Sequence, residues 1–223
     1  MRKKYVRVVV MVSILLFAAS LSFHPKAEAN PRENVIVDTK YYKDIKELKY
    51  PQVRIVGNPS FERKINNDFT NYIKKSYKAY KDNLEAAKKY GYEPQYQSDF
   101  DVKYNKNNKL SILTSDYIFT GGAHGNTVVQ SFNYDLLKKK RVKLDDILTN
   151  QQKFAKVTDY VYQYAKARPN IFYPDLKKED VKINKNTAFF FTDDGIALVF
   201  QQYDIAPYVS GNQVIVIPSS VYK

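Results

Sequence analysis

The chain has 223 residues, a formal net charge of +13, no cysteine, no tryptophan and two histidines. The absence of cysteine excludes disulfides, a cysteine nucleophile and thiolate metal sites. Only His124 lies beyond the first 29 residues, which excludes zinc held by two or three imidazoles and leaves no metal site to expect.

At the N-terminus, Arg2, Lys3, Lys4 and Arg7 precede an apolar run from Val8 to Leu21, and Ala27-Glu28-Ala29 follows. Charge, apolar core and small-x-small site in that order predict a secretory signal peptide over 1–29, with Asn30 as the first residue of the exported protein. The apolar run is short of the ~20 residues that span a bilayer, so a membrane association is expected only where the leader stays uncleaved. Residues 30–223 keep about +9 of the charge and offer enough chain for a self-standing core. Such a surface attracts polyanions, which outside a cell are wall polymers, acidic glycans and lipid headgroups rather than nucleic acid. Solubility alone is the plainer reading of the same charge.

Alternation predicts strands over Asn34–Thr39 and Lys49–Val56. Asn58-Pro59 opens a long helix, with Phe61, Ile65, Phe69, Ile73, Tyr77, Tyr80 and Leu84 at helical spacing and Gly91 as its stop. Phe100–Tyr104 and Leu110–Phe119 form a hairpin around Asn105–Asn108, Thr127–Tyr134 is a further strand, and Arg141–Leu144 continues past the Lys138-Lys139-Lys140 turn. Asn150 caps a second helix through Phe154, Val157, Val161 and Ala165 that ends before Pro169. Thr187–Thr192 and Ile196–Gln201 flank the turn Asp193-Asp194-Gly195, and Val214–Ile217 is expected as a fully buried strand. The fold class is therefore α+β: mostly antiparallel sheet with one long and one shorter helix, in two similar helix-then-hairpin halves (34–120 and 121–223) packed as one body.

Three of the seven glycines fall in Gly121-Gly122-Ala123-His124-Gly125, a loop between two strands. Glycine gathers where backbone takes positive φ or a partner comes close. Two readings of the loop stay open: His124 and exposed amides facing a ligand, or a tight corner whose histidine caps a carbonyl. A serine–histidine pair with Ser115, Ser131 or Ser210 lacks any nucleophile-elbow pattern. Asp145-Asp146 and Asp193-Asp194 precede a helix and make a turn, so they are structural pairs rather than catalytic carboxylates. Among twenty tyrosines, Tyr41, Tyr42, Tyr203 and Tyr208 sit in loop-like segments suited to contact.

Thr120–Gly125, Ser131-Phe-Asn-Tyr-Asp135 and Gln202–Gly211 occur in the order found in a known extracytoplasmic family. The chain resembles the sensor half of the anti-sigma factor that recognises lysozyme, and the domains that precede the catalytic domain of a peptidoglycan deacetylase. Tyr50-Pro-Gln-Val and Lys64-Ile-Asn-Asn67 are similar to the companion N-terminal module of that pair. The resemblance implies a Gram-positive, secreted or wall-associated binding domain that captures lysozyme through surface loops, with no cofactor. Too few residues precede the apolar run for a sigma-binding segment, so no sigma factor is expected as partner, and no deacetylase domain is expected.

The resulting expectation is a non-catalytic envelope-binding domain whose partner is a lysozyme-like muramidase, peptidoglycan or an anionic wall polymer. Thr120, Gly121, Gly122, His124, Gly125, Tyr203, Pro207 and Tyr208 form its docking surface, and Tyr92 lies outside it. The alternatives are a wall-glycan hydrolase with His124 as base, and a structural protein held in the wall by charge.

Overall fold

The computed structural model describes residues 35–223, so the leader and its cleavage site lie outside the described residues. Strands β1 (Val35–Tyr41) and β2 (Lys49–Ile55) form an antiparallel pair, followed by helix α1 (Pro59–Tyr90). A four-stranded antiparallel sheet comes next, in the order β3 (Gln95–Lys106), β4 (Lys109–Phe119), β5 (Asn126–Asp135) and β6 (Lys140–Val142). Helix α2 (Gln151–Lys166) leads to a three-stranded antiparallel sheet of β7 (Ala188–Phe191), β8 (Gly195–Val199) and β9 (Val214–Pro218). The fold is α+β.

Local chemistry explains the helix ends. The Asn58 side chain accepts from the Phe61 amide at 3.2 Å, and Pro59, which has no amide to satisfy, takes the first helical position. Gly91 closes α1 in the left-handed region (φ 75°), where its amide reaches the Ala87 carbonyl at 2.8 Å. Asn150 caps α2 through Lys153 at 3.0 Å. The β3–β4 hairpin turns on Asn107 and Asn108, both at positive φ, as a two-residue turn between twisted strands demands.

The four-stranded sheet works on both faces. Leu110, Ile112, Phe132 and Tyr134 pack with Ile65, Phe69 and Ile73 of α1 in one core. Burying an aliphatic or phenyl side chain of this kind stabilises by about 1.5–3 kcal/mol. On the opposite face, Ser111, Ser131 and Asn133 meet the backbone edge of β7 instead of grease. Ser111 Oγ accepts from Phe191 N (3.0 Å), Ser131 Oγ from Phe189 N (3.1 Å), and Asn133 Nδ2 donates to Phe189 O (2.8 Å). This seam satisfies an edge strand that water would otherwise cover. Beyond it lies the second core, built from Val157 and Val161 of α2 with Leu198, Phe200, Ile215 and Ile217.

Two local expectations are corrected. Val214–Ile217 is not fully buried: Val214 and Val216 are 46% and 51% exposed, while Ile215 and Ile217 are fully covered. Strand β9 is the outer strand of its sheet, and its covered side chains join the α2 core. The Arg141–Leu144 strand stops at Val142, and Leu144–Asp146 forms a 3-10 turn in which Asp146 accepts from the Lys143 amide at 2.8 Å.

Candidate functional site

The glycine loop joins β4 to β5, and the segment from Phe200 to Gln213 joins β8 to β9. In the glycine loop, Gly121 and Gly122 take φ of 86° and 102°, a region costly to any other residue. Gly125 has a different reason: a Cβ there would lie 2.4 Å from the Tyr117 ring. Tyr203, in the second loop, is itself at positive φ (68°), an unusual state for a bulky side chain. The tight turn that contains it is held by Asp204, whose carboxylate accepts from the Gln201 amide at 2.8 Å. Ile205 and Ala206 are buried in the C-terminal core, and Pro207 starts a 3-10 turn over Tyr208–Ser210.

The structure brings these two loops together. The His124 ring stacks on Tyr208 with centroids 3.8 Å apart and planes 20° apart. Tyr203 completes the cluster, its ring 5.8 Å from that of Tyr208 and its hydroxyl 3.2 Å from His124 Nε2. His124 Nδ1 lies 2.9 Å from the Gly125 carbonyl. Neutral imidazole satisfies both contacts only with its proton on Nδ1, which donates to Gly125 O, while Nε2 accepts from the Tyr203 hydroxyl. The carbonyl-capping corner and the exposed aromatic cluster thus coexist in one residue. Thr120, Gly121 and Gly122 shape the loop's root, and Pro207 sets the direction of Tyr208.

Three features here were missed in the sequence. Gln201 and Gln202 stitch the second loop to the free edge of β5: Gln202 Oε1 accepts from Thr127 N at 2.7 Å, and Gln201 bonds both N and O of Val129 at 2.9 Å. Gln202 opens the Gln202–Gly211 motif, but nothing in the sequence gives either glutamine this role. Tyr117 fills the space that Gly125 leaves. Tyr92, expected to lie outside the surface, packs under the glycine loop: a Cβ on Gly121 would sit 3.3 Å from its ring. Its hydroxyl donates to Asn83 Oδ1 at 2.7 Å.

Chemically, the cluster offers one imidazole and two phenol rings, with His124 and Tyr203 exposed. Ser131 accepts from Phe189 N, and Ser210 donates to the Ile171 carbonyl, so neither is poised on His124. Among the described residues, no group of three or more acids or histidines is placed to hold a metal ion. A cavity of about 750 Å³ lies elsewhere, lined by residues that include Lys109, Asp135, Lys140, Asp146, Asp193 and Tyr222. Two of its acids are paired, Asp146 with Lys140 at 2.8 Å and Asp193 with Lys106, from outside the lining, at 2.7 Å. Both carboxyls are held below their ordinary pKa, Asp193 by Lys106 and Asp146 by Lys140 and the Lys143 amide.

Residues 37–127 match the family model described as Deacetylase PdaC, and residues 145–220 match the one described as Protein of unknown function (DUF3298). The peptidoglycan-N-acetylmuramic acid deacetylase PdaC of Bacillus subtilis (strain 168) is 30% identical over 139 residues, 56% of this chain and 28% of that protein. The uncharacterized protein YxiT of the same organism is 42% identical over 62 residues, 28% of this chain and 78% of that protein. Among solved structures, a DUF3298-family protein from Pseudomonas aeruginosa PAO1 aligns with a TM-score of 0.55 at 18% identity, over 85% of this chain and 92% of that one. A DUF3298-family member from Bacteroides fragilis aligns with a TM-score of 0.51 at 20% identity, over 84% and 89%. At such identities, the likeness is one of fold.

Proposed function

The chain belongs to one family with YxiT, and from that premise we propose that it is a secreted, non-catalytic binding module of the cell envelope. In this reading the His124–Tyr203–Tyr208 cluster docks peptidoglycan or the lysozyme-like muramidase that acts on it. The observation that carries it is the stack of His124 on Tyr208 at 3.8 Å, which joins two loops 84 positions apart into one exposed aromatic surface. Tyrosine gives large contact area at low entropic cost, to sugars and proteins alike. The envelope setting draws on the stretch of the chain that is similar to a protein named for peptidoglycan deacetylation, of which the chain spans 28%.

Binding of the exported protein to purified peptidoglycan and to lysozyme, each measured separately, tests the reading and names the partner. Tyr208→Ala removes a central aromatic anchor, and such truncations cost about 2 kcal/mol or more, roughly thirtyfold in affinity. Leu137→Ala, an exposed residue of the β5–β6 turn, serves as control and keeps wild-type affinity. Equal affinities of folded wild type and Tyr208→Ala for both partners would overturn the site. Soluble products released from peptidoglycan by wild type and not by His124→Ala would overturn its non-catalytic character. Complete release from the wall at moderate salt would favour retention by charge alone, because exposed ion pairs are screened within about 8 Å at physiological ionic strength.

A further inference from the structure

Helix α1 exposes far more basic than acidic charge. Of its four acids, Glu62 turns inward to accept from the Ile55 amide at 2.8 Å, and Asp68 accepts from the buried Tyr134 hydroxyl at 2.9 Å. Asp82 and Glu85 are the two acids left exposed. All eight Lys and Arg residues of the helix, from Arg63 to Lys89, are exposed. Among the described residues only Lys78 of these eight is in an ion pair, with Asp82. Arg63, Lys74, Lys78, Lys81 and Lys88 fall on one stripe at 3.6 residues per turn, with Glu85 the one acid among them, and at 1.5 Å per residue the stripe runs about 38 Å.

A second element joins this face. Lys43, in the 3-10 turn between β1 and β2, places Nζ 4.6 Å from the centre of the Tyr77 ring, and Lys81 places its own 5.2 Å from the same ring. The Tyr77 ring thus holds a lysine of the turn and a lysine of the helix at one place, so Lys43 adds its charge to the face of α1. The turn that presents Lys43 is itself strained, with Lys43 and Asp44 at φ of 54° and 59°.

We infer that the outer face of α1, together with Lys43, is a binding track for a linear phosphodiester polymer of the cell wall. The polymer's location rests on the envelope reading above, while the track rests on α1 and Lys43 and not on the aromatic cluster. Lysine suits phosphate as a compact point charge that needs no fixed donor geometry. A bilayer surface fits less well, because helices that lie in membranes bury an apolar face in lipid, and the apolar face of α1 is already packed in the N-terminal core. A face that follows the axis of one 32-residue helix favours a chain over a globular anion.

The test is binding of the exported protein to poly(glycerol phosphate), followed over a range of salt. Lys43→Gln/Lys74→Gln/Lys81→Gln changes three exposed side chains, leaving helix propensity nearly unchanged at 74 and 81 and exchanging one unbranched side chain for another in the turn at 43, so the variant folds. Its affinity should fall at least about tenfold, and its log affinity against log salt should flatten by roughly two units, as three lost phosphate contacts require. Tyr208→Ala should bind the polymer as wild type does. Unchanged affinity and salt slope in the folded triple variant would overturn the track. Tighter binding to phosphatidylglycerol vesicles or duplex DNA than to the polymer would overturn its assignment. If wild type binds neither peptidoglycan nor lysozyme yet binds the polymer through these lysines, the docking loops fail and the track stands.

Discussion

Gln201 and Val129 are joined by two hydrogen bonds: the side-chain amide accepts from Val129 N and donates to Val129 O, each at 2.9 Å. A glutamine thereby acts as one more strand residue on the edge of β5, where β6 has ended. With Gln202 on Thr127, it fixes the distance between the loop of His124 and the loop of Tyr208. Gln201→Ala leaves two partly buried backbone groups without partners, at about 1–3 kcal/mol each, and should lower the thermal midpoint clearly. It should also weaken partner binding, although Gln201 is no part of the aromatic cluster. A variant with wild-type stability and affinity would show that the stitch does not position the loops.

Gly125 and Tyr117 form a size-matched pair. A methyl group at 125 would meet the Tyr117 ring at 2.4 Å, so Gly125→Ala must displace the ring or the loop. Overpacking of this sort costs about 1–3 kcal/mol. Tyr117→Ala opens the space, so the double variant should be less destabilised than the sum of the two singles. Chemical denaturation of all four proteins measures the coupling. Strict additivity would mean that the glycine is needed for another reason.

Much of this architecture is legible in the sequence because it is local. Asn58-Pro59 and Gly91 bracket α1 in the chain as in space, and Asn150 does the same for the start of α2. The apolar spacing of Phe61, Ile65, Phe69 and Ile73 marks the buried stripe of α1. What depends on neighbours is not legible. Val214 and Val216 read as core because they are apolar, yet burial depends on what covers each face of β9. The two loops of the candidate site were picked out by their residues, but the glutamines that unite them carry no periodicity. Tyr92 looked remote because nothing in its surroundings announces that Asn83 and Gly121 converge on it.

Asp116 offers a test by pH. Its carboxylate lies between α1 and β4, accepting from Tyr72 and Ser76 at 2.9 Å each, and no cation pairs with it among the described residues. Burial raises its pKa, and hydrogen bonds from Ser76, Tyr72, Ser98 and Tyr96 hold back part of that rise. A raised folded-state pKa means that the fold prefers the protonated acid. That contribution is fully present below the ordinary Asp value of about 3.9 and is lost as pH rises through the raised one. Against Asp116→Asn, which does not titrate, wild-type stability should gain as pH falls from about 7 to about 4. Urea unfolding of both proteins across that range gives the difference directly. A flat difference would mean that the carboxyl is unshifted, and a loss toward acid would mean that the hydrogen bonds outweigh burial.

The end of α1 is fastened to the sheet by one side chain. Asn83 Nδ2 donates to the carbonyls of Gln95 and Phe119, which face each other across β3 and β4, while Oδ1 accepts from the Tyr92 hydroxyl. Tyr92 in turn stands edge-on to Phe119 and lines the root of the glycine loop. Asn83→Ala removes all three bonds from a buried position and leaves the carbonyls and the hydroxyl to find water, so a loss above about 2 kcal/mol is expected. Tyr92→Phe removes one of the three and keeps the ring under Gly121, so its cost should be about 1 kcal/mol, with the loop undisturbed. Asn83→Ala should also loosen the glycine loop, visible as faster amide exchange at Gly121 and Gly122 than in Tyr92→Phe. If the two variants are equally destabilised and exchange alike, the Tyr92 hydroxyl, and not the clamp on the paired strand ends, holds this corner.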